Sequence, residues 1–131
     1  MKEKVKRAVT QAMSHLEHSM DALATGNKDG MENSVWKAAS ELEYLLFLLS
    51  LMQHDELKSP SERTVSRLKT VELGPTLVAA YDALEEVKRS LSLGEFREAY
   101  KKARVARNYL LRIQEVFEKE RGRSRRTTPP A

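Results

Sequence analysis

Eleven lysines and arginines fall in the last 37 residues, from Glu95 on, against five acids, while the first 94 residues carry twelve bases against fourteen acids. Clustered guanidinium and ammonium groups bind phosphate, releasing the counterions condensed on a polyanion. Arginine outnumbers lysine here, which suits forked contacts to phosphate oxygens. The candidate contacts to an RNA or DNA backbone are Arg97, Lys101, Arg104, Arg107, Arg112, Arg121, Arg123, Arg125 and Arg126. No side chain is identified that would read base edges, so contact without sequence preference is expected.

Other chemistries are thinly represented. His15 and His18 stand three apart near Glu17 and Asp21, and His54 stands beside Asp55 and Glu56. Carboxylate-bridged diiron bundles use Glu-x-x-His pairs, and Ala12, His15 and Leu51 occupy the positions three before each histidine. No metal site is expected, and no cofactor. There is no Gly-x-Ser-x-Gly elbow and no glycine-rich phosphate loop. Glu41/Glu43 and Glu85/Glu86 are spaced by two and by one, which splays them apart on a helix. No catalytic residue is assigned, and the chain is read as a non-enzyme.

The elements that carry these residues are all helical. In 131 residues with 40% hydrophobic and 32% charged content there is enough apolar material for one cored domain. Apolar residues at Val5, Val9, Ala12, Leu16, Met20 and Leu23 recur every three to four positions and predict a first helix over about Lys2–Ala24. Thr25–Gly30 is turn chemistry. A second helix is expected over about Met31–Gln53. Ser59-Pro60-Ser61-Glu62 predicts a short connector helix, through an N-cap serine and a capping-box glutamate, that ends before Gly74-Pro75. Pro75 then restarts a helix to about Gly94, and the last helix should run from Glu95 to about Arg121.

A faint repeat links the halves. Leu16-Glu17, Leu23 and Gly26 match Leu84-Glu85, Leu91 and Gly94, and Ala38, Tyr44, Leu45 and Leu46 match Ala103, Tyr109, Leu110 and Leu111. The fold class is therefore all-α: an antiparallel four-helix bundle of two helical hairpins, with a short connector helix. The bundle should occupy residues 1–121 and a flexible basic tail residues 122–131.

The second predicted helix is apolar almost all round. Ala38, Leu42, Leu45, Leu46 and Leu49 make one stripe, while Trp36, Tyr44, Phe47, Leu48 and Leu51 occupy much of the rest. Such a helix must be covered on more than one side. Either the connector helix covers it, through Val65, Leu68 and Val71, or these residues are a partner interface with Trp36, Tyr44 and Phe47 as anchors.

The run Gly94–Ala103, continued through Leu110-Leu111, resembles the hairpin pattern of prokaryotic HEPN-type helical domains. That family includes RNA-cleaving toxins and nucleotidyltransferase partners. Its active members carry an arginine followed four to six residues later by histidine. Here Arg7 precedes His15 by eight, so the resemblance does not carry nuclease activity with it.

The absence of cysteine excludes disulfides and thiol chemistry and fits a reducing compartment. The basic start Met1–Arg7 is not followed by an apolar signal region, and the longest apolar cluster, Tyr44–Met52, is too short to span a bilayer. A cytoplasmic location is expected, with no membrane partner. Three Asn, three Gln and abundant charge resemble thermophile usage. The functional expectation is a non-catalytic accessory subunit of a nucleoprotein complex. The alternative is a helical protein–protein adaptor or homodimer without nucleic-acid binding. Least favoured are a HEPN-like nuclease and a metal-binding bundle.

Overall fold

The computed structural model describes residues 2–52 and 72–126, with side chains to Glu120. The expected connector helix lies outside the described residues as far as Val71, as do His54 and residues 127–131. Four helices account for nearly all of the rest: α1 (Lys2–Ala24), α2 (Lys28–Met52), α3 (Leu73–Ser92) and α4 (Phe96–Arg126). No strand occurs among the described residues.

The helices form a bundle in which each packs on two others. α1 packs on α2 and α3, and α4 packs on α3 and α2. The shared core is a single cluster that includes Val9, Leu16, Val35, Leu42, Leu49, Leu77, Leu84, Leu110, Ile113 and Phe117, each 1% exposed or less. Burying a side chain of this size is worth about 1.5–3 kcal/mol, so the seams are set by where these stripes meet.

Two turns of the same construction bound the helices. Gly26 and Gly94 take φ of 78° and 75°, which only glycine adopts without a steric cost. Around the first, Asn27 N–H donates to Ala22 O at 2.8 Å and Gly26 N–H to Leu23 O at 3.1 Å. Around the second, Glu95 N–H donates to Ser90 O at 2.8 Å and Gly94 N–H to Leu91 O at 3.0 Å. Both are Schellman endings, and they match bond for bond at the spacing of the sequence repeat.

Three boundaries differ from those expected. α2 begins at Lys28, not Met31, because Asn27 caps it: its Oδ1 accepts Gly30 N–H at 2.9 Å. α3 begins at Leu73, with Gly74 and Pro75 inside its first turn. Proline lacks an N–H, but the first four N–H groups of a helix have no internal acceptor, so nothing is lost there. α4 continues past Arg121 to Arg126, so residues 122–126 are helix where a free tail is expected. One glycine, Gly122, costs a helix only about 1 kcal/mol, and the surrounding arginines are good helix formers.

Candidate nucleic-acid interface

α4 owes its position to a buried stripe of Ala99, Ala103, Ala106, Leu110, Ile113 and Phe117, all 1% exposed or less. Phe96, the first residue of α4, is only half-buried, with Lys2 Nζ 5.9 Å from its ring centroid. Arg97, Lys101, Arg104 and Arg112 fall on the side of α4 opposite the buried stripe, as a 100° step per residue requires. Arg97 and Lys101 are exposed, while Arg104 and Arg112 are half-buried.

Their surroundings differ. Lys101 Nζ lies 3.6 Å from Glu98 Oε2, an exposed pair one turn apart that leaves the ammonium available to other anions. The Arg104 guanidinium lies 5.9 Å from the Tyr100 ring centroid, and that of Arg112 lies 6.0 Å from Tyr109. A cation over an aromatic face keeps its charge while its orientation is restrained.

Arg107 does not join this ridge. Its side chain turns toward α2, where Nε lies 3.0 Å from Glu43 Oε2. Nε is buried and makes no aligned hydrogen bond, so the contact is a charge pair whose carboxylate lies off the N–H direction. With Glu43 as counter-charge, Arg107 contributes little net positive potential. Arg121, Arg123, Arg125 and Arg126 lie on the last turns of α4, with side chains outside the described residues.

The expected partner face on α2 divides. Trp36, Tyr44, Phe47 and Leu51 are 42%, 44%, 56% and 48% exposed and follow one outward face of the helix. Leu48 does not belong with them; it is 4% exposed and part of the core. It lies two turns beyond Glu41, on the flank of α2 whose Lys37 and Glu41 act electrostatically on His15 of α1. The α1–α2 seam therefore covers it. Leu111 of α4, which the periodicity did not single out, is 41% exposed.

Between these faces, α2 and α4 enclose a cleft of about 180 Å³. The half-exposed Trp36 and Leu111 form its rim, Leu42 and Gln114 its buried floor, and the Glu43–Arg107 pair one end. Gln114 is 7% exposed, and its Nε2 has no hydrogen-bond partner. A buried donor left without an acceptor costs about 1–3 kcal/mol, so this amide is either paired by something bound or carried at a loss. The sequence did hold a signal for it: Gln114 is the one polar residue four positions from Leu110 on the otherwise apolar stripe.

No protein family, no curated protein and no solved structure matches this chain.

Among the described residues no group of three or more His, Asp or Glu converges. His15 and His18 stack edge to face with centroids 6.5 Å apart. Burial lowers the pKa of His15, opposed by Glu41 and aided by Lys37 and His18. No described helix is long and apolar enough to cross a membrane.

Proposed function

We propose that the chain is a non-catalytic accessory subunit of a nucleoprotein assembly, in the cytoplasm, that grips RNA or DNA backbone along α4. The observation that carries this reading is the outward placement of Arg97, Lys101, Arg104 and Arg112 along one side of α4, opposite its buried stripe. Four cations within 16 residues of a helix extend over about 23 Å at 1.5 Å per residue, the scale of several phosphates. The arginines from Arg121 to Arg126 prolong the same helix, and the basic residues from 122 on would add a second point of attachment.

The bundle that presents this ridge is read as two antiparallel hairpins. Lys28 Nζ lies 3.1 Å from Glu120, and Glu43 pairs with Arg107, so numbers rise along α2 as they fall along α4. Leu23 borders Gly74 and Glu17 accepts from Tyr81, which gives α1 and α3 the same relation.

A second reading is a protein adaptor or homodimer, and the exposed Trp36, Tyr44, Phe47 and Leu51 favour it. Titration of a labelled 20-nucleotide RNA with the full chain, from 50 to 300 mM salt, separates the two. Backbone binding gives a log-log slope that becomes shallower by about 0.7 to 0.9 for each phosphate contact removed. A fourfold Gln variant at Arg97, Lys101, Arg104 and Arg112 should flatten it, and so should removal of residues 122–131. Absent or salt-independent binding leaves the adaptor.

A further inference from the structure

The α2–α4 cleft goes beyond backbone contact. Resting on the reading of α4 as a polyanion grip, we infer that this cleft takes one unpaired nucleobase, so that the polymer bound is single-stranded. Three observations meet there. The cleft measures about 180 Å³, and an apolar cavity of about 150 Å³ accommodates a benzene ring. Trp36 stands 42% exposed at its rim and offers an indole face for stacking. The floor carries an amide, Gln114, more than nine-tenths buried, whose Nε2 lacks an acceptor. An amide presents donor and acceptor together, the pattern that base edges complement.

The charge around the cleft fits the same ligand. Arg107 and Glu43 close one end, and Arg104, one turn before Arg107 on α4, leads out to the ridge. A strand whose phosphates follow Arg97, Lys101 and Arg104 and continue along α4 past Arg107 would run the length of the cleft, to Trp36 at its far end. A base within a duplex is stacked on both faces and paired at its edge, so it presents nothing to Trp36 or Gln114. An aliphatic occupant would fill the space but leave the Gln114 donor unpaired.

The chain has a single tryptophan, so its emission reports on this rim alone. Full-length protein is titrated with poly(U), poly(A) and a 20-base-pair duplex at fixed salt. Single strands should quench and shift Trp36 emission, and the duplex should not. Trp36→Ala should weaken single-strand binding about tenfold while leaving duplex binding and the salt slope unchanged, and Trp36→Phe should retain most of the affinity. Gln114→Met should alter the ratio of poly(A) to poly(U) affinity several-fold with the same slope. Equal binding of single strand and duplex with Trp36 emission unchanged overturns this inference and leaves the backbone reading standing. Failure of every nucleic acid to bind overturns both.

Discussion

Arg107 Nε lies 3.0 Å from Glu43 Oε2 across the seam between α2 and α4. This pairing sorts the cations of α4 into two kinds. Those opposite the buried stripe lie away from the α2 seam, and Lys101 among them meets only an exposed glutamate of its own helix, Glu98. The one on the α2 flank is spent on an interhelical contact, with 35% of its side chain exposed against 58% for the glutamate. Proximity in sequence to Arg104 and Arg112 therefore says little about shared function; angular position on the helix decides.

Arg107→Gln should leave the salt slope of RNA binding close to that of the wild-type protein, whereas Arg104→Gln should reduce it by about 0.7 to 0.9. The pair is partly exposed, so Glu43→Gln should cost no more than about 1 kcal/mol in urea unfolding. An Arg107 variant that flattens the slope as much as Arg104 would show that the guanidinium leaves Glu43 for phosphate.

Tyr81 Oη donates to Glu17 Oε2 at 2.7 Å, and this bond to a carboxylate raises the Tyr81 pKa from 10.0 to about 12. The native chain therefore holds a proton that the unfolded chain releases first. The stabilisation is complete below pH 10 and is lost as pH rises through about 12. Ultraviolet titration of the wild type minus that of Tyr81→Phe should give a midpoint near 12. A difference midpoint near 10 would mean that the bond does not persist in solution.

His15 gives the opposite end of the pH scale. Burial lowers its pKa below 6.5, so the folded chain prefers the neutral ring and the unfolded chain binds the proton more readily. Its contribution is present above pH 6.5 and is lost as pH falls through the folded value. Stability measured from pH 7.5 to 5 should fall less steeply in His15→Gln than in the wild type. Nuclear magnetic resonance titration of the three histidines should include one midpoint that is lowered and that disappears in the variant.

Much of this architecture is legible in residue spacing, because helix periodicity and glycine turns are local properties. α1 occupies Lys2–Ala24 as its apolar repeat predicts, and Gly26 and Gly94 end helices where a left-handed residue is needed. The start of α2 is not legible in the same way, because Thr25–Gly30 reads as one turn while Asn27 serves both the ending of α1 and the cap of α2. Proline favours the first position of a helix, but the third tolerates it equally, so Pro75 alone does not mark the start of α3. The candidate site was less legible. A helical wheel separates core from surface, but it does not say which neighbour covers a flank. Leu48, Arg107 and Gln114 all lie on flanks, and their roles depend on α1 or α2 standing beside them.

The flank argument makes its sharpest test at two adjacent residues of α2. Phe47 is 56% exposed and Leu48 is 4% exposed, though only one peptide bond separates them. Each step rotates the side chain by 100°, enough to carry it from the outward face to the α1 seam. Leu48→Ala should cost about 2–5 kcal/mol, from lost burial and the cavity left behind. Phe47→Ser, in the same turn, should change stability by less than about 0.5 kcal/mol, as surface substitutions do. If the outward face is instead a homodimer contact, the wild-type melting temperature will rise with the logarithm of protein concentration and Phe47→Ser will lower it and remove that dependence, because dissociation is then coupled to unfolding. Sedimentation equilibrium of the two variants decides the matter: a monomer that loses stability only at Leu48 assigns the outward stripe to a different partner, and a dimer broken by Phe47→Ser assigns it to a second copy of the chain.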